Sequence, residues 1–244
     1  MSFLRGSMGI ISSAFRSLVD FVYPPLCLSC NRLLEDGSDL CCAECLSEIP
    51  RLSSEHPLFI ASRDRMRSSG VVDDLVSAFV FEKTGGLQKI IHALKYQNIE
   101  AAGTMLGHFI EKEIAARCIV PSLLVPVPLH AAKQRDRGYN QAEAVARGIA
   151  EKAGWQVDAE LLKRVKNTRT QTKLSFEQRQ KNVSSAFVFR DRNVPDLHDA
   201  TVMVVDDVIT TGATIVECAR VLKEAGATRV VAASVALAAK DSDL

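Results

Sequence analysis

The sequence predicts an α/β fold, a parallel sheet with helices on both faces, preceded by a small cysteine-rich knuckle. Three observations carry this expectation. From residue 71 onward, short apolar runs alternate with helical patterns, which implies βαβ crossovers. The run Val202 to Val205 is continuously apolar, as a strand buried on both faces must be. Five of the seven cysteines crowd between Cys27 and Cys45, a segment rich in turn residues and too short for a core of its own. At 244 residues the chain has room for one packed domain of about 150 to 180 residues and a small appendage. We place the boundary between residues 1–70 and residues 71–244.

Taken in order, Phe3 to Tyr23 is apolar but interrupted by Arg5, Arg16 and Asp20. Such a segment cannot span a bilayer, and Pro24-Pro25 follows it where a secretory signal would need small residues at a cleavage site. An amphipathic helix packing on its own protein is expected, in preference to docking on a membrane surface, because its polar face is not strongly basic. Arg51 to Gly70 reads as an irregular connector. Val71 to Glu82 is strand material ending at Gly85-Gly86. Helical spacing follows, first with Leu87, Ile90, Ile91 and Leu94, then with Leu106, Phe109, Ile110 and Ile114. Ser122 to Val127 suits a buried parallel strand running into a loop, and Ala142 to Ala153 a helix closed by Gly154. Thr168 to Asn182 is polar and basic and is expected to form a flap. Strands near Ala186 to Phe189, at Thr201 to Val205 and at Arg229 to Leu237 complete the pattern, with a helix from Ala213 to Ala225.

Composition narrows the chemistry. With 30 basic and 29 acidic residues the net charge is +1, so nothing in the whole chain marks a polyelectrolyte partner. Between Lys133 and Lys181, however, twelve Lys or Arg face six acids, and that is where an anion would be received. An odd number of cysteines arranged as Cys-x-x-Cys pairs fits metal ligation in a reducing, cytoplasmic compartment better than a disulfide framework.

The pairs Cys27/Cys30 and Cys42/Cys45 can place four thiolates around Zn²⁺, the closed set of a structural site. Cys41 is adjacent, but the two-residue spacer favours Cys42. Cys118 and Cys218 read as ordinary small core residues on helices. The knuckle offers either a purely structural element or a surface for a partner or nucleic acid.

Val202 to Val205 is followed by Asp206-Asp207, then Thr210, Thr211, Gly212, Ala213 and Thr214, then an amphipathic helix. Ligands of open α/β sheets sit beyond the carboxyl ends of strands, and a helix N-terminus presents free N–H groups and a positive dipole to a phosphate. Gly212 lets the backbone approach closely, while the threonine hydroxyls donate hydrogen bonds. Adjacent carboxylates can accept from vicinal ribose hydroxyls or hold Mg²⁺, directly or through water. A phosphorylated ribose fits this run, which looks like the signature of the type I phosphoribosyltransferases for phosphoribosyl pyrophosphate (PRPP).

Other runs extend the resemblance: Leu94-Lys95-Tyr96, Val127-Pro128-Leu129-His130, Arg137-Gly138-Tyr139-Asn140-Gln141-Ala142, and Thr170-Gln171-Thr172 with Leu174 and Arg179. Together with the knuckle, and in this order, they resemble the competence protein F (ComF/GntX) family over nearly the whole chain. The resemblance implies the type I phosphoribosyltransferase fold behind a zinc ribbon, with Zn²⁺ structural and Mg²⁺ accompanying PRPP. It implies displacement of pyrophosphate at ribose C1, with Asp206, Asp207, Arg137 and Arg179 as catalytic residues. PRPP would be bound by Lys95, Val127, Pro128, His130, Arg135, Asp206, Asp207, Thr210, Thr211, Gly212, Ala213 and Thr214. His130 is open to a direct hydrogen bond or to a structural one, and Lys95 to a ligand contact or to the helix dipole. The flap residues Arg169, Lys173 and Arg179 would close over pyrophosphate. One departure is visible: the family often has Arg three residues after the histidine, and here stands Lys133, which keeps the charge but loses the bidentate fork. The family also implies a link to DNA uptake or the use of external DNA, through single-stranded DNA or a protein of the competence machinery. A non-catalytic sensor of PRPP is the competing expectation, and a homo-oligomer is compatible with either.

Overall fold

A computed structural model describes residues 24–34, 40–166, 185–190 and 197–239. Two compact units are present, Met1–Glu48 and Ile49–Leu244. In the first, Leu26 and Leu33 form an antiparallel bridge around a tight turn, closed by Cys27 N–H donating to the Arg32 carbonyl at 2.9 Å. Asn31 turns the corner with φ 59°, a left-handed conformation that asparagine tolerates. A short helix, α1 (Ala43–Ser47), follows.

The second unit is built on four parallel strands, β1 (Asp74–Phe81), β2 (Leu123–Pro126), β5 (Thr201–Ile209) and β6 (Arg229–Ala238), in the order β1-β6-β5-β2. Between them in sequence, β3 (Leu162–Arg164) and β4 (Phe187–Phe189) pair antiparallel as a separate ribbon. The strand expected near Ala186 thus exists, but it lies outside the main sheet. Helices α3 (Gly86–Tyr96), α4 (Ala101–Ala116), α5 (Ala131–Arg137), α6 (Gln141–Ala153) and α7 (Ala213–Glu224) connect the strands.

Residues 51–70 are not an irregular connector. Pro57–Arg67 forms α2, started by Pro57 in the first turn and by His56, whose ring nitrogen accepts from Leu58 N–H at 3.1 Å. It buries Phe59, Ser62 and Met66. Ahead of it, Leu52 N–H donates to the Ala78 carbonyl, and Pro50 accepts from Val80 N–H, so this segment lines the outer edge of β1. Residues 49–70 accordingly group with the second unit.

Side-chain alternation along the strands splits the core into two layers. Leu75, Val202, Val204, Val230 and Ala232 join Phe59 and Met66 of α2 and Ile215, Cys218 and Leu222 of α7 in one cluster. Met203, Val205, Val231 and Ala233, also buried, alternate with them, and α4 and α6 pack against this sheet and against each other. The α4–α6 contact depends on glycine. A Cβ at Gly107 would overlap the backbone of Val145 and Ile149, and one at Gly148 would overlap the backbone of Thr104. Cys118 differs from expectation: it lies exposed just beyond α4 with φ 52°, whereas Cys218 is fully buried in α7. Among the described residues, no helix is long and apolar enough to cross a membrane.

Candidate active site

Because all four strands run the same way, their carboxyl ends meet at one edge of the sheet. There β5 continues past Val205, where the strand was expected to end: Asp206 and Asp207 lie within it, with Asp206 in register with Ser234 of β6. The turn Thr210–Gly212 then leads straight into α7. Gly212 occupies the N-cap position with φ 79°, a conformation that costs other residues strain, and a Cβ there would also press on the Met66 side chain. Thr211 is buried and its hydroxyl accepts from Ala213 N–H at 3.5 Å, while Thr210 is exposed and Thr214 half-buried. Asp206 and the segment Thr210–Ile215 enclose a shallow hollow of about 30 Å³ at the helix start. A 12-residue helix directs its free N–H groups and dipole at this hollow, so it is suited to receive one face of a phosphate.

The two carboxylates are electrostatically unequal. Lys95, in the last turn of α3, forms an ion pair with Asp207 Oδ2, which is buried. Burial alone would raise the Asp207 pKa, but the Lys95 ammonium outweighs it and holds the group below its ordinary value. Asp206 makes no ion pair of this kind among the described residues. Its burial, and then the neighbouring Asp207 charge, push it up to about 8. For Lys95, burial works against the charge and Asp207 restores it, leaving the pKa raised. The pair therefore carries about one negative charge near neutrality, matched by one lysine.

The run Arg137 to Gln141 ties this lysine to the strand ends. Tyr139 donates its hydroxyl hydrogen to the Leu94 carbonyl, next to Lys95. Asn140, buried, caps α6 by accepting from Ala142 N–H at 3.1 Å and donates to the Val127 carbonyl at 3.0 Å. Val127, in turn, donates its N–H to the Val205 carbonyl at 2.8 Å. Arg137 donates to Gln141 Oε1 at 2.8 Å, and its guanidinium stands 5.3 Å from the centre of the Tyr96 ring. Of the expected site residues, Lys95, Arg137, Asp206, Asp207 and Thr210–Thr214 are thus brought to one edge, with Val127 and Pro128 as buried walls. His130 spends its Nδ1 on capping α5, accepting from Ala132 N–H at 3.3 Å, which is the structural alternative for this residue. Arg135 is exposed on α5. Arg169, Lys173 and Arg179 lie outside the described residues.

Sequence reasoning missed Arg164. Its guanidinium sits 5.4 Å from the Phe187 ring centre, is depressed by burial, and feels the Asp206 charge. Lys133, noted only as a departure from the family pattern, is pushed down by burial and then by Arg164, Arg137 and Lys95. A three-residue strand such as β3 has no period to read, so nothing in the sequence set Arg164 apart. Lys95, Lys133 and Arg137 are thus close enough to act on one another's charge, Arg164 acts on Lys133, and Lys95 and Arg164 also couple to the acidic pair.

In the first unit, the Sγ atoms of Cys27, Cys30, Cys42 and Cys45 all lie within 4.8 Å of one another. Cys42 N–H points to Cys27 Sγ at 3.4 Å. Burial works to raise the Cys27 pKa, but backbone N–H groups of Cys30, Cys42 and Ser29 bring it down to about 6. Cys41 stands outside the cluster, so Cys42 is the fourth member. Four clustered thiols, one stabilised as thiolate, fit a tetrahedral metal such as zinc.

Residues 130–243 match the family model for the phosphoribosyl transferase domain. The DNA utilization protein YhgH of Salmonella typhimurium is 30% identical over 210 residues, which span 84% of this chain and 87% of that protein. Competence protein F of Haemophilus influenzae is 36% identical over 108 residues, 44% of this chain and 46% of that protein. Among solved structures, adenine phosphoribosyltransferase from Leishmania tarentolae aligns with a TM-score of 0.38 and 12% identity, over 77% of this chain and 89% of the other. With 84% of its length aligned to the Salmonella protein at 30% identity, the chain belongs to the family of phosphoribosyltransferase-like proteins that includes DNA utilization protein YhgH and competence protein F.

Proposed function

We propose that this protein binds PRPP at the carboxyl edge of β5 and transfers its phosphoribosyl group to an acceptor with release of pyrophosphate. The observation that carries this reading is the direct succession of Asp206-Asp207, the Gly212 turn and the α7 N-terminus, with Lys95 paired to Asp207. The turn Thr210–Thr214 receives the 5-phosphate, and the two carboxylates accept hydrogen bonds from the ribose 2- and 3-hydroxyls. Positive charge develops at C1 as the bond to pyrophosphate lengthens, and the Asp206–Asp207 pair beside it stabilises that charge. On the leaving side, Arg137 and Lys95 compensate the negative charge accumulating on pyrophosphate, with Arg179 of the expected flap assigned the same task. Little proton transfer is asked of the protein. Mg²⁺, held by Asp206 and Asp207 directly or through water, supplies further neutralisation of the pyrophosphate when bound.

A second reading keeps the site as a PRPP sensor coupled to single-stranded DNA or a protein of DNA uptake. The names of the relatives, DNA utilization protein and competence protein F, favour it. Turnover separates the two. Purified protein with PRPP and Mg²⁺, screened against nitrogenous bases and amines, is expected to release pyrophosphate with at least one acceptor at a rate that Arg137→Ala lowers on the order of 100-fold. Binding of PRPP with no pyrophosphate release for any acceptor would favour the sensor and contradict the transferase.

A further inference from the structure

The acceptor must lie within a bond or two of the ribose hydroxyls, because C1 adjoins C2. Resting on the reading above, this places the acceptor's cavity beside Asp206. Three cavities among the described residues are candidates. The hollow at Thr210–Thr214 is taken by the 5-phosphate, and a wide depression near Asp73 and Arg229 sits at the opposite edge of the sheet, where β1 and β6 begin. The third is a groove of about 380 Å³ between the loop after β2, α6 and the β3–β4 ribbon. Its volume falls at the lower end of the range for small-molecule sites, about 300–1,000 Å³. Two of its lining residues link it to the proposed ribose site. Arg164 lines it and is electrostatically coupled to Asp206, and Pro128, also in the lining, follows Val127, whose N–H joins the Val205 carbonyl.

The lining shows what this groove would take. Arg147, Lys163, Arg164 and Arg190 face Glu143 and Glu160, a formal charge of +2. No aromatic side chain is among the described residues that line it, so a neutral base would find no ring to stack on. Arg147 pairs with Glu143 at 2.6 Å and Arg190 with Glu160 at a looser 3.5 Å, which orients two guanidinium groups along the walls. We infer that the groove lined by Lys163, Arg164 and Arg190 is the acceptor site, and that it selects a small acid carrying a carboxylate over an uncharged base. In the transfer this implies, a lone pair on the acid's nitrogen or oxygen forms the bond to C1. The C1–O bond to pyrophosphate breaks with its electron pair leaving on pyrophosphate, and any proton on the attacking atom passes to water.

Calorimetric titration of the full chain with matched pairs tests this: nicotinate with nicotinamide, orotate with uracil, anthranilate with aniline. At least one acid is expected to bind 10-fold or more tightly than its uncharged counterpart. Lys163→Glu/Arg190→Glu is expected to erase that preference, and Lys163→Gln/Arg190→Gln to reduce it, with PRPP affinity unchanged in both. The inference is overturned if no acid is preferred, or if the preference survives charge reversal. PRPP affinity, measured on the same samples, reports separately on the ribose site. An acid preference without PRPP binding would remove the transferase reading, whereas PRPP binding without an acid preference removes only the acceptor assignment.

Discussion

Adjacent aspartates at the end of β5 share a single lysine, and the consequence is a measurable asymmetry. Asp207 stays charged because Lys95 meets it in a buried position. Asp206, raised to about 8, is neutral in the folded protein at pH values where the unfolded chain already carries its charge. The stability belonging to its protonated form is complete below about pH 4, falls as pH rises, and is gone above about pH 8. Asp206→Asn removes this dependence while keeping an oxygen for the 2.9 Å bond from Asp207 N–H. The variant should therefore gain on the wild type steadily from pH 4 to pH 8 and level off beyond. The gain is on the order of a few kcal/mol, since each tenfold change in proton affinity is about 1.4 kcal/mol. Urea melts of both proteins at pH 4, 6 and 8 check this, and parallel stabilities across that range would refute it.

Elements differ in how plainly the sequence announces them. Val202 to Val205 and the helix after Gly212 were legible because an apolar run and a helical stripe each repeat long enough to show a period. Helix α2 was not, because its buried face has only Phe59 and Met66 separated by Ser62, among arginines and a proline that read as a connector. The close approach of α4 to α6 was equally hidden: Gly107 and Gly148 are informative only once the two helices are seen together. At the knuckle, spacing alone favoured Cys42 over Cys41, and the geometry agrees. Elemental analysis of native protein is expected to find one zinc per chain, lost in Cys27→Ser and retained in Cys41→Ser. Zinc retained by Cys27→Ser, or absent from the wild type, would contradict the assignment.

For the molecule as a whole, the charge near zero conceals the organisation that matters. Acids and bases balance along the chain, yet four cations gather where the parallel strands of the second unit end. Lys95, Arg137 and the acidic pair were legible as separate motifs. Their meeting was not, because it depends on Tyr139 reaching back to Leu94 over an intervening helix and strand, and on Asn140 reaching Val127 past α5. Arg164 joins them from the β3–β4 ribbon, whose pairing only the folded chain displays. The central claim is that this edge holds PRPP through Asp206 and Asp207. Titration calorimetry with PRPP and Mg²⁺ tests it most directly, with melts confirming that each variant is folded. The wild type is expected to bind in the micromolar range and Asp206→Ala/Asp207→Ala to show no binding; unchanged affinity in the folded double variant would contradict the claim.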